Sequence, residues 1–203
     1  MKKITSLEFG VLTLIILITA LSRLIPHPYN FSPVCAIALF GAYYYRDKYF
    51  SYIMPLLSMW ISDLILNNTV YSQHFSHFTW LYDGAFVTYT SFILIVYLGT
   101  VLLKKLTLLR LFFTSITSSV VFYLVSNFGV WLFSSMLPYP HTFRGLLSCY
   151  GAGMPFFKNT LLGDYFYIFL LFGAYELFIK YMVNFWQPSS VSRNIQSNDQ
   201  AHN

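Results

Sequence analysis

Long apolar runs alternate with short polar breaks along this chain, and most of the runs have the length that a bilayer demands. A hydrocarbon core of about 30 Å takes roughly 20 helical residues at about 1.5 Å each. The first run, Leu7 to Ile25, meets this length, with Arg23 close enough to its end to snorkel toward the headgroups. Pro26-His27-Pro28-Tyr29-Asn30 then breaks the helix. Ser32-Pro33 reads as a new start, a hydroxyl cap before a proline whose missing N–H costs nothing there. The second span is expected over 33–45. It is short, with Tyr43, Tyr44 and Tyr45 at the interface, and it ends at Arg46-Asp47-Lys48. Further spans are expected at about 50–66, 84–103, 111–137 and 160–183. The fifth is long enough to require tilt or protrusion, and Pro138 and Pro140 end it. Segment 141–158 reads as a separate short helix, partly inserted.

The pattern therefore predicts an all-α integral membrane protein, a bundle of about six transmembrane helices with both termini cytoplasmic. Residues 1–186 form a single transmembrane domain, and 187–203 form a polar cytoplasmic tail of disorder-like composition. Lys2-Lys3 ahead of the first run and Ala20-Leu21-Ser22 within it resemble a cleaved leader. The run is long enough to span, so a retained helix is the expectation.

Composition supports this reading. Of 203 residues, 57% are hydrophobic and only 9% charged, against about 25% in soluble domains, so one soluble core could not hide the apolar surface. The net charge of +5 does not imply nucleic acid, because the basic residues punctuate apolar runs instead of forming a patch. With the N-terminus inside, nine of them fall on the cytoplasmic side (Lys2, Lys3, Arg46, Lys48, Lys104, Lys105, Arg110, Lys180 and Arg193) and three outside (Arg23, Arg144 and Lys158). That is the bias expected for cytoplasmic loops, and it fits a multi-pass protein of the cell's inner (plasma) membrane with both termini inside.

Under this topology the costly groups cluster toward the outer face: Asp63 in span three, Asp83 at the start of span four, Asp164 at the start of span six, and four of the five histidines. On span five, Ser119, Tyr123, Asn127 and Trp131 recur every four residues and line one face. Two readings of Asn127 stay open, a hydrogen bond to a neighbouring helix or a ligand site open to the outside. Asp63 is expected to neutralise itself against Arg23 or Arg144, and Asp164 to sit near a helix start capped by Asn159 or Thr160. The candidate ligand-binding residues are thus Asp63, Asn127, Trp131, Arg144, Lys158, Asn159 and Asp164, with tyrosines and tryptophans to stack on a flat ligand. His74 and His77 would share a face if helical, but no third metal ligand is fixed, and an interfacial helix is the expected reading of that stretch. Cys35 and Cys149 lack metal or redox spacing and are expected as packed thiols. No catalytic motif is present, and neither an enzyme nor a cofactor is expected. Cys35, Ala38, Gly41 and Ala42 form a small-residue face for close helix approach, within this chain or with another subunit.

Several stretches resemble a family of small bacterial membrane proteins known only as a domain of unknown function. They are Phe31-Ser32-Pro33-Val34-Cys35-Ala36-Ile37-Ala38-Leu39-Phe40-Gly41-Ala42 with Arg46-Asp47, Pro55-Leu56-Leu57 with Ser62-Asp63, Ser126-Asn127-Phe128-Gly129-Val130-Trp131, and Pro155-Phe156-Phe157-Lys158-Asn159-Thr160-Leu161-Leu162-Gly163-Asp164. That family is similar in size and topology to the substrate-binding S components of energy-coupling-factor vitamin transporters. The resemblance implies a chain that captures a vitamin-like or heterocyclic molecule at its outer face, couples to energising transporter subunits, and hydrolyses nothing itself. S components carry an AxxxA docking face on the first span. Here Ala38 and Ala42 have that spacing on the second. The competing expectation is a non-catalytic structural or assembly subunit of a membrane complex, and a membrane enzyme using Asp63 or the histidines ranks behind both.

Overall fold

The structure, a computed structural model, describes residues 5–45, 47–133 and 139–186. It consists of helices α1 (Ser6–Leu21), α2 (Val34–Tyr44), α3 (Lys48–Asn68), α4 (Ala85–Leu102), α5 (Leu108–Phe133) and α6 (Phe143–Trp186), with 3-10 turns at Ser22–Leu24 and Ser72–His74. All but α2 are long and apolar enough to cross a membrane. Residues 1–4 with Lys2 and Lys3, Arg46, Pro138 and the 187–203 tail lie outside the described residues.

Local chemistry explains most boundaries. Thr5 and Glu8 form a reciprocal capping box at the start of α1. The Asp47 carboxylate accepts from the Tyr49 N–H at the start of α3. Gly84, with φ at +86°, turns the chain into α4 in the left-handed region that side chains avoid.

The core is organised around α2. At 11 residues it is about 16 Å long, too short to cross a membrane, yet every residue from Val34 to Ala42 is buried and it packs against all five other helices. A helix apolar on every side belongs at the centre of a bundle. Non-helical chain flanks it: residues 28–31 form a turn in which Tyr29 packs on Phe156 of α6, Phe31 packs on Phe166 and Tyr167, and Tyr45 reaches Thr13 of α1 at the far end. Gly163 makes the passage feasible, because a Cβ there would lie 2.9 Å from the Ser32 nitrogen. Non-helical backbone at this depth is tolerated where protein covers it.

The small-residue face meets helices of the same chain. Gly41 receives the ring of Pro55 from α3, and a Cβ on Gly99 of α4 would stand 2.6 Å from the Cβ of Ala42. Ala38 is fully buried, so the AxxxA spacing is consumed inside the bundle and offers no docking face.

Three expectations are corrected. Segment 141–158 and the last span are not two helices. α6 runs unbroken for 44 residues, about 66 Å, through Pro155. A proline inside a helix costs one hydrogen bond, which flanking packing offsets here: Tyr29 covers Phe156 and Tyr123 covers Phe157. Ser32 does not cap α2, whose start at Pro33 has no side-chain cap. The stretch with His74 and His77 is a 3-10 turn followed by extended chain, so the two imidazoles share no helical face and no interfacial helix forms.

Candidate functional site

The polar side chains inside the bundle form three groups, the last two joined by the Ser119–Asp164 contact. The first joins α1, α3 and α4. Arg23, on the 3-10 turn that ends α1, donates through Nη1 to Asp63 Oδ1 at 2.6 Å, to Ser62 Oγ at 3.3 Å and to the Met59 sulfur. The Tyr89 hydroxyl of α4 donates to Asp63 Oδ2 at 2.8 Å, so both carboxylate oxygens are engaged. Ser62 in turn donates to the Ala20 carbonyl, tying α3 to α1. Tyr82, in the connection before α4, has its phenol pushed above the usual value, first by burial and then by the charge of Asp63. That connection folds back over α3. The Asn68 amide donates to the Thr79 carbonyl while the Thr79 N–H donates to the Asn68 oxygen, and Trp80 stacks on Trp60 with ring centroids 6.4 Å apart.

The second group is a seam between α5 and α6, and it accounts for the four-residue periodicity on α5. Ser119 lies 2.6 Å from Asp164. The Tyr123 hydroxyl donates to the Tyr150 carbonyl. Asn127 donates to its own helix at Tyr123, rests its oxygen on Gly153, and has its main-chain carbonyl approached by the Cys149 thiol at 3.3 Å. The Trp131 indole donates to the Pro140 carbonyl at 2.9 Å and packs on His141. Ser119, Tyr123 and Trp131 bond to α6 or the chain leading into it, while Asn127 bonds within α5 and packs against Gly153.

The third group lies deeper, at the centre. Asp164 is 1% exposed and points at the start of α2, where the Cys35 thiol and main-chain N–H lie beside its carboxylate. Ser119 meets its Oδ2, while Oδ1 has no hydrogen-bond partner among the described residues. Ser115 and Ser118, fully buried on the adjoining turns of α5, also have unpartnered hydroxyls.

The predicted site residues are therefore not one pocket. Asp63 takes Arg23, one of its two expected partners. α3 packs on α1, α2 and α4, which keeps Asp63 apart from the α5–α6 seam holding Asn127 and Trp131. Arg144, in the first turn of α6, and Lys158 are exposed. Asn159 and Thr160 sit mid-helix and cap nothing: Asn159 donates to the Tyr29 carbonyl, holding the turn before α2, and Thr160 bonds back to Phe156. Asp164 does face a helix start, but that of α2 and not its own. Tyr82, Tyr89 and Cys35 escaped the sequence reading as site residues. A tyrosine in an apolar run looks like any interfacial aromatic, and Cys35 looked like a small packing residue. Both cysteines are buried free thiols in different groups. Among the described residues no three His, Cys, Asp or Glu side chains gather as metal ligands.

A bundle of five long apolar helices around a short buried one is a multi-pass membrane protein by length and composition. The chain belongs to a family of unknown function, DUF6580, whose model matches residues 3–187. No curated protein and no solved structure matches it.

Proposed function

We propose that this protein captures a small vitamin-like or heterocyclic molecule at the extracytoplasmic end of the bundle for uptake across a bacterial plasma membrane, in the manner of an S component. The observation that carries the reading is the Arg23–Asp63–Tyr89 group beneath the folded-back 69–84 connection. It combines a fixed cation, a carboxylate, phenol hydroxyls and stacked indoles, the mixture that holds a flat polar ligand. The helix directions support the orientation: Lys48, Lys104, Lys105, Arg110 and Lys180 share one end, and Arg23, Arg144 and Lys158 lie toward the other. Energising subunits would dock elsewhere than on Ala38 and Ala42, which are buried.

The second reading, a non-catalytic assembly subunit, is favoured by the α5–α6 seam, where Tyr123 and Trp131 donate across to α6 and the chain leading into it. The two are separated by native mass spectrometry of the gently purified protein and thermal-shift assays against a panel of vitamins and nucleobases. Capture predicts a retained small molecule or a stabilising hit that Tyr89→Phe and Trp80→Ala weaken. Protein that is empty and unresponsive to the whole panel overturns capture and leaves the assembly reading.

A further inference from the structure

The centre of the bundle holds a carboxyl that nothing in reach neutralises: Asp164 is 1% exposed and its Oδ1 has no hydrogen-bond partner among the described residues. The Ser119 hydroxyl has one hydrogen and two short oxygen contacts, the Ser115 carbonyl of its own helix at 3.0 Å and Asp164 Oδ2 at 2.6 Å. With Asp164 ionised, that hydrogen goes to Oδ2 and the Ser115 contact lapses; with Asp164 protonated, Oδ2–H donates to Ser119 and both contacts are hydrogen bonds. No cation opposes the group: among the described residues it faces Cys35 from α2, Ser119 from α5 and Tyr165 on its own helix. An uncompensated charge at this burial is among the costliest features a fold can carry.

We infer that Asp164 is a proton-binding site, holding an exchangeable proton as a neutral carboxylic acid that donates to Ser119 Oγ. The inference stands apart from the capture reading. The surroundings suit both states of the group. In the loaded state Oδ2–H donates to Ser119, and Oδ1 is a carbonyl beside Cys35. On release the proton leaves Oδ2, and Ser119 swings its hydrogen from the Ser115 carbonyl to the carboxylate. The anion then faces the uncapped start of α2, whose first-turn N–H groups and dipole favour negative charge. The unpartnered Oδ1 is the atom that would accept there.

The test is infrared spectroscopy of the full chain in lipid nanodiscs at neutral pH, in H2O and in D2O. The expected result is a protonated-carboxyl C=O band above the amide I envelope. It moves to lower frequency in D2O, disappears in Asp164→Asn and persists in Asp63→Asn. Ser119→Ala, which retains the acid and protects against a folding failure of the first variant, is expected to shift the band to higher frequency. A wild-type spectrum without the band, a band that neither variant at 164 or 119 alters, or one lost in Asp63→Asn instead, overturns the assignment.

Discussion

Arg23 and Asp63 meet at 2.6 Å, with the guanidinium and carboxylate side chains only 16% and 5% exposed. Attraction at this burial mainly repays desolvation, so the pair is worth less than its separation suggests, while breaking it strands a charge. Arg23→Met should therefore cost about 3–5 kcal/mol by the behaviour of buried pairs. Adding Asp63→Leu should return most of the lost thermal stability, and denaturation of both variants in one detergent checks the order. A double variant no better than the single would mean that Asp63 is held by Tyr89 alone. Gly163 is a second residue-scale constraint, because the main chain of Phe31 and Ser32 runs against it. Gly163→Leu should cost about 1–3 kcal/mol or more, as overpacking does. Gly173, which has open space around it, serves as the control: Gly173→Leu should be nearly neutral in the same melt. A sequence shows both residues as glycines in apolar runs. Only the main chain of Phe31 and Ser32 laid against Gly163 tells them apart.

Among the elements, the α5–α6 hairpin is the most legible from sequence and α2 the least. The Ser119, Tyr123, Asn127, Trp131 spacing places those side chains on one face whatever they touch, since four residues advance a helix by roughly one turn. Which element they touch required α6 to run through Pro155, against the boundary that a proline ordinarily marks. The hairpin closes at Gly145, packed on the Pro140 carbonyl that also accepts from Trp131. Gly145→Val should spread the hairpin and lower the melting temperature more than Trp131→Phe. The latter removes one hydrogen bond, worth about 0.5–1.5 kcal/mol net. Equal losses would show that the turn has room to yield. In α2 the hydrophobic runs alone could not separate a short central helix from a lipid-facing span, because both are apolar throughout.

At the scale of the molecule, the described residues form six helices, and the turn before α2 is held to α6 through Asn159. The topology is testable with single cysteines, since Cys35 and Cys149 are buried and should give little background labelling. Ser72→Cys, at an exposed site, should react with an impermeant maleimide on intact cells, and Thr107→Cys only after permeabilisation. The reverse pattern would invert the bundle and remove the outward-facing capture site with it. The all-helical class, the positions of five of the expected spans and the shared face on α5 follow from the sequence, because hydropathy and the 3.6-residue repeat are local properties that lipid and backbone geometry impose on any chain. The burial of α2, the continuity of α6, the separation of Asp63 from Asp164, and the choice of Arg23 over Arg144 were decided by tertiary packing. Each depends on which surfaces meet across many residues of chain, and apolar surface contacts apolar surface with little preference until shape, a close-approach glycine or a buried charge discriminates.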